Sequence, residues 1–250
     1  MTMRPPVVRA VGVIASAAIV FAPAVATAAP KDVAEGDLLG RPLALVVALA
    51  IVSLLPFVFM SVTAFVKIST VLQIAKSAIG AQSVPSSTVV MALAGALTVL
   101  AMAPVGETIA ARAAPILAQD KTDTTQLVFG VLDVVREPLR EFLGKHASPK
   151  ERARFWAVAR EMRRGGEASE RDLTVLVPAF VVSELSEAFA IGFLIYLPFL
   201  VIDLVVANVL LALGMQMLSP TQVSLPFKIL LFVAVDGWGL LAQALVTSYR

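Results

Sequence analysis

Cysteine is absent from the 250 residues, and histidine occurs once, at position 146. The first absence excludes a disulfide framework, a thiol nucleophile and any cysteine-ligated metal. The second leaves His146 without a cluster of titratable partners, so it reads as an exposed polar residue in a charged loop rather than a catalytic base. Charge is scarce too, at 15% of the residues. From Leu173 to the C-terminus only six charged residues occur in 78 positions: Glu184, Glu187, Asp203, Lys228, Asp236 and Arg250. A soluble core has no need of such long uncharged stretches, whereas a bilayer demands them. The formal net charge of +2 falls to zero (+2 − 2 = 0) without Arg4 and Arg9, which lie in a segment expected to be removed. A near-neutral chain gives no sign of a nucleic-acid partner.

What is present is apolar. Hydrophobic residues make up 58% of the chain and the mean hydropathy is +0.88, against roughly 45–50% apolar in soluble domains. The sequence therefore predicts an all-α membrane protein with about four apolar helices and a helical soluble module between the second and third. Residues 1–28 read as a signal peptide: Arg4 and Arg9 begin it, Val11 to Ala22 form its apolar part, Pro23 breaks it, and Ala26-Thr27-Ala28 is a small-residue cleavage pattern. Residues 29–111 read as a first helical hairpin. Its first span is the charge-free run Pro42–Val66, with Pro56 expected to kink it by removing a backbone donor. Lys67 to Ser87, with Lys67 and Lys76 and no acid, reads as a short cytoplasmic connection by the positive-inside rule. The second span is expected near Thr88–Val105, its Ala and Gly residues suiting close helix packing.

Charge concentrates in residues 112–172, with 22 charged side chains in 61 positions, 12 basic and 10 acidic. Leu132, Val135, Leu139 and Phe142 recur at helical spacing, as do Phe155, Ala159 and Met162. Two amphipathic helices are expected, divided at Ser148-Pro149, in a periplasmic module too long for its loop charge to fix its side. Residues 173–250 form the C-terminal apolar helices. Val175–Met217 reads as one kinked span or a helical hairpin, and Leu225–Val246 as a single span.

The charges within those apolar helices are the candidate site residues. Asp or Lys at mid-span costs roughly 2.5–3.5 kcal/mol facing lipid on insertion scales. Glu184, Glu187, Asp203, Lys228 and Asp236 must then face protein, water or each other. Interhelical pairing that fixes assembly is favoured over a proton relay. Lys228 can neutralise Asp203 across the intervening turn or between subunits. Glu184 and Glu187, three apart on one helix face, are expected near a helix end that water reaches. Met215, Gln216 and Met217, beside Gly214 and ahead of Pro220, make a deformable turn that alone would read as core filler.

Taken together, the C-terminal residues resemble a known family. Val177-Pro178-Ala179-Phe180-Val181-Val182-Ser183-Glu184-Leu185 is similar to a signature of the FliP/SctR export-apparatus proteins. Gly192 to Val205, Leu225-Pro226-Phe227-Lys228 and Val235-Asp236-Gly237-Trp238 extend it, and Phe65-Val66-Lys67, Met102-Ala103-Pro104-Val105 and Pro138 to Phe142 fit upstream. The resemblance, over about Pro42 to Tyr249, implies a core subunit of the type III secretion export gate in the bacterial inner membrane. It implies a homo-oligomer joined by FliQ/SctS-like and FliR/SctT-like subunits into a channel for unfolded proteins. In that channel residues 173–250 would form the core and Asp203 and Lys228 an intersubunit pair. Met215, Gln216 and Met217 would lie at the pore constriction, with Gln216 departing from the family's usual run of three methionines. The injectisome branch is favoured over the flagellar one. No catalytic, cofactor-binding or metal site is implied. The rival readings are an ion- or proton-coupled transporter, an intramembrane protease, for which no Ser/His pair lies in the spans, and a receptor-like protein whose soluble module shows no ligand motif.

Overall fold

The computed structural model describes residues 40–80, 85–117, 124–162, 169–215 and 217–250. The signal peptide expected at 1–28 and the side chain of Gln216 lie outside them. The described residues form nine helices and no strand: α1 Gly40–Val62, α2 Phe65–Ile79, α3 Ser87–Ala101, α4 Ala103–Leu117, α5 Thr124–His146, α6 Pro149–Met162, α7 Leu173–Ala212, α8 Pro220–Ala234 and α9 Gly237–Thr247. The chain divides into two compact units, one of residues 1–59 and 103–139, the other of residues 60–102 and 140–250. Within the first, Gly130 of α5 lies against Ile116 of α4, where a Cβ would sit 3.5 Å from Ile116 Cγ2. All that follows concerns the second.

The centre of that unit is α7, a continuous helix of 40 residues despite Pro178 and Pro198. At 1.5 Å per residue it is about 60 Å long, twice the roughly 30 Å hydrocarbon thickness. Its buried residues, including Val175, Ala179, Ser183, Ala188, Gly192 and Phe199, make a narrow stripe. Phe189, Phe193, Leu197, Leu200 and Leu204 on the remaining surface are exposed. A helix apolar all round with so little of it covered is built for a nonaqueous environment. It is the one helix long and apolar enough to cross a membrane among the described residues, and there are up to four spans if each of three bent helix pairs counts as one.

Those breaks differ from the expected spans. The run expected to end at Val66 stops at Val62, and the backbone restarts at Phe65. The expected second span is interrupted at Met102, whose amide closes α3 by bonding to Thr98 O at 2.9 Å. Leu225–Val246 is not one helix, because α8 and α9 meet at 56°. There Asp236 takes the left-handed conformation, φ 50° and ψ 50°, which Asp tolerates better than most residues. Its carboxylate lies over Gly239, whose lack of a Cβ leaves room for it. Hydropathy reports how apolar a segment is, and a single residue in the left-handed region divides it without changing that sum.

The largest correction is α2. The connection expected at Lys67–Ser87 is mostly a packed helix: Phe65 to Ile79 is helical, and Ile68, Val71, Leu72 and Ala75 are wholly buried. α2 packs chiefly on α7 and then on α3. Gly80 ends it with φ +80°, its amide bonding to Ser77 O at 3.1 Å. The α2–α7 approach is close enough that a Cβ on Gly192 would sit 2.5 Å from Ile74 Cδ1 and 3.2 Å from Ile74 Cβ. Gly192→Ala should gain about 1 kcal/mol in helix propensity and lose about 1–3 kcal/mol to overpacking against a branched side chain. The clash reaches Ile74 Cβ, which cannot rotate away, so net destabilisation is expected. Thermal unfolding of the solubilised protein checks it, and Ile74→Val in the same chain should recover part of the loss.

Candidate functional site

Lys67, one helical turn into α2, has a side chain 3% exposed, and Glu184, the twelfth residue of α7, one that is 1% exposed. Lys67 Nζ lies 3.5 Å from Glu184 Oε1 and 2.8 Å from Glu187 Oε2. The Tyr249 hydroxyl donates to Glu184 Oε2, and Lys67 Nζ stands 4.5 Å from the centre of the Tyr249 ring. Glu184 Oε1 makes no hydrogen bond among the described residues, so its charge is compensated through space by the ammonium beside it. Glu187 is 54% exposed. The two acids expected to share a wet helix end are thus split: Glu187 reaches water, whereas Glu184 is sealed between helices, because their shared face bends from the α2 contact out to the rim.

A ring stack closes the cluster. Phe142 of α5 lies 5.6 Å from Phe180 and 6.0 Å from Tyr249, and His146 lies 4.7 Å from Phe142 and 5.0 Å from Tyr249. His146 is therefore not in an exposed loop. It is the last residue of α5, packed among aromatic rings. Burial pushes its pKa below the usual 6.5, Lys145 and Lys67 add to that shift, and Glu187 opposes it. Next to Glu184, Ser183 donates to Ala179 O at 2.7 Å and accepts from the Ser148 amide at 2.9 Å. Ser148 caps α6 by accepting from the Glu151 amide at 3.3 Å. The Ser148-x-x-Glu151 spacing would let Glu151 return a bond to the cap amide, but that amide is taken by Ser183. Glu151 instead binds Arg154 at 2.9 Å.

The second charge site joins α7 to α8. Lys228 Nζ donates to Asp203 Oδ2 at 2.6 Å, and Ser224 Oγ donates to Asp203 Oδ1 at 2.5 Å. Both carboxylate oxygens are satisfied within a single chain, with Lys228 and Ser224 buried and Asp203 half-buried. Asp236 joins neither cluster and stays exposed at the α8–α9 break. Beneath that break Ala78, Ile79, Phe199 and Phe232 form an apolar core, with Trp238 edge-on to Phe232 at 5.1 Å.

The methionine turn follows α7. Gly214 adopts φ +71°. Its amide bonds to Leu211 O at 3.0 Å and the Met215 amide to Leu210 O at 2.9 Å, the paired bonds of a Schellman cap. Met215 is fixed by its backbone, and Met217 is 99% exposed. No group of three or more His, Asp or Glu side chains poised for a metal ion occurs among the described residues.

The geometry defines an all-helical protein with at least one helix long and apolar enough to span a membrane, whose charges on that helix are met by side chains of neighbouring helices and whose methionine turn is exposed. The chain belongs to the FliP family, whose model matches residues 48–245. It is 45% identical over 210 residues to the "Hypersensitivity response secretion protein HrcR" of Ralstonia nicotianae, covering 82% of this chain and 96% of the relative. It is 40% identical over 215 residues to "Yop proteins translocation protein R" of Yersinia pestis, covering 82% and 95%. It is likewise 40% identical over 205 residues to "Flagellar biosynthetic protein FliP" of Bacillus subtilis, covering 82% and 90%. The three names speak of secretion, translocation and flagellar biosynthesis, and none is that of an enzyme.

Lys67, Tyr249 and His146 are the residues that sequence reasoning missed. The absence of any acid near Lys67 along the chain was the available signal, since a lysine that is buried must then find its partner elsewhere in the fold. Lys67→Met should strand Glu184 and cost about 3–5 kcal/mol, whereas Lys67→Met with Glu184→Gln should cost much less. Thermal unfolding of the solubilised variants checks both. His146 adds a pH dependence. Its folded pKa is depressed, so its contribution is complete above the ordinary value of about 6.5 and fades as pH falls through the folded pKa. His146→Gln should therefore flatten the loss of melting temperature between neutral and mildly acidic pH, judged as the difference from the unmodified chain.

Proposed function

We propose that this protein is a core subunit of a type III secretion export gate, part of the membrane channel that passes unfolded proteins across the bacterial inner membrane. The observation that carries the reading is membership of the FliP family over most of the chain, together with the secretion and translocation named in relatives at 40–45% identity. In this reading the protein is multi-pass, with four spans formed by α7 and the three bent helix pairs. Its residues 112–172 are a soluble periplasmic module and its first 28 residues are a cleaved signal peptide. It acts as a homo-oligomer with FliQ/SctS-like and FliR/SctT-like subunits. Injectisome use is favoured by the "Hypersensitivity response" and "Harpin secretion" names among its relatives; the alternative is axial-protein export in a flagellum.

Asp203 and Lys228 serve assembly in this reading. Their pairing within one chain supports a preformed α7–α8 hairpin that a neighbouring subunit reads through the half-exposed face of Asp203. Met215 and Met217 supply the closed-state seal. Long unbranched thioethers close a narrow apolar gap in many rotamers and rearrange around a passing chain, and an apolar ring resists wetting. An amide at the axis would invite water, so Gln216 takes no part in the seal.

Expressed with its two partner subunit types, the full chain should co-purify as one complex; isolation as a lone monomer with transport activity of its own would favour the transporter instead. Met215→Ala with Met217→Ala should leave assembly intact and raise ion conductance of membranes holding the substrate-free complex about tenfold or more, the scale of losing one or two kcal/mol of barrier. Gln216→Met should change it little. An unaltered leak with normal assembly would put the seal elsewhere.

A further inference from the structure

A polar cavity of about 830 Å³ lies where the end of α2, the start of α3, the middle of α7 and the start of α8 meet. Its lining carries two ammonium groups, Lys76 and Lys228, and one carboxylate, Asp203. Asp203 is paired within the chain: Lys228 donates to one oxygen at 2.6 Å and Ser224 to the other at 2.5 Å. Lys76 is therefore the uncompensated charge. Its ammonium donates to Ser87 Oγ at 3.0 Å and has no carboxylate within ion-pair distance among the described residues. Ser77, Thr221, Gln222 and the Tyr196 hydroxyl add neutral donors around the same space.

The electrostatics favour an anion. A single positive charge on one wall is left over after the Asp203–Lys228 pair is set aside. Ser87 and Thr221, which line the cavity, lie in the first turns of α3 and α8, where the helix dipole is positive. The C-terminal end of α2 opposes this, and Lys76 in its last turn offsets that end. Tetrahedral phosphate oxygens suit several donors arriving from different elements, since each oxygen accepts more than one bond.

The wall on the α7 side indicates how such an anion arrives. Phe193 precedes Tyr196 by a turn and Leu200 follows it by a turn, and both are exposed on the apolar helix. A phosphate that enters beside them carrying acyl chains can lay those chains on that apolar face. We propose that this cavity binds the phosphate of an anionic phospholipid headgroup, with Lys76 as its principal counter-charge. Asp203 and Lys228 form the floor of the site and are not the groups that select the anion.

The site is tested on the full chain, extracted in mild detergent and examined by native mass spectrometry after exposure to vesicles. Vesicles of phosphatidylcholine alone, or doped with phosphatidylglycerol, are the probes, and inorganic phosphate without lipid is the third arm. Phosphatidylglycerol should be retained preferentially, Lys76→Gln should lower its retention about tenfold, as expected for one charge-assisted contact, and Lys76→Arg should preserve it. Lys150→Gln, on α6 and outside the cavity, should leave retention unchanged. Equal retention by the unmodified protein and Lys76→Gln overturns the site. Equal retention in the two vesicle types overturns the requirement for an anionic headgroup. Saturable binding of inorganic phosphate that Lys76→Gln abolishes, without enrichment of phosphatidylglycerol, overturns the lipid source and assigns the cavity to a soluble phosphate anion.

Discussion

The packing of the second unit depends on the burial of one ion pair, Lys67 with Glu184. Each charge carries several kcal/mol of desolvation cost, and Glu184, sealed between helices, depends on the Lys67 ammonium to offset it. That requirement, to which the closer Lys67–Glu187 contact adds, fixes the register of α2 on α7, because a one-residue rotation of either helix would separate the charges. Purely apolar contacts between Ile68, Val71 or Ala75 and α7 would tolerate such a slip at far smaller cost. Here the pair acts as a specificity device, while the surrounding apolar surface supplies most of the adhesion.

One stretch of α7, from Phe180 to Glu187, gathers nearly every other part of the unit. Ser183 receives the cap of α6, Phe180 receives Phe142 at the end of α5, and Glu184 receives both Lys67 and the Tyr249 hydroxyl. Burial and the neighbouring Glu184 carboxylate raise the pKa of Tyr249, so the phenol remains a donor at any physiological pH. Such an arrangement couples segments far apart in sequence through a few polar atoms. It also explains why charge-bearing residues in so apolar a helix are compatible with stability: each is answered at short range.

Much of this was legible in the sequence at the level of composition. Long apolar runs, Gly and Pro punctuation and the Ser148-Pro149 start locate the helices, and an acid in an apolar helix demands a partner. The partners themselves were not legible. Loop-charge reasoning read the Lys67 segment as a connection because it counts positive charge along the chain and has no term for an acid brought in by folding. His146 looked solvated for a similar reason: Tyr249, which with Phe142 encloses its ring, is remote in sequence. The helix breaks at Met102 and Asp236 escaped because a carboxylate over Gly239 or a backbone turn at φ 50° leaves hydropathy unaltered. Asp203 and Lys228, expected as a pair between subunits, meet within one chain, since opposite charges on the two arms of one hairpin are brought together by the turn that joins them.

The length of α7 sets a further constraint on how such a protein can be accommodated. About 60 Å of continuous apolar helix cannot be matched by roughly 30 Å of hydrocarbon through tilt alone at the angles usual for membrane helices. At a tilt of about 20°, close to the average, the helix still projects nearly twice the hydrocarbon thickness along the bilayer normal. The large apolar side chains exposed on α7 lie between Phe189 and Leu211, a stretch of about 33 Å at 1.5 Å per residue and close to the roughly 30 Å of hydrocarbon. The turns before Phe189 bury Val175, Leu176, Ala179, Phe180, Glu184 and Ala188, so the surplus length is covered by the protein's own helices, α2 above all. The Lys67–Glu184 pair lies in that covered part and supplies the polar register that purely apolar packing lacks.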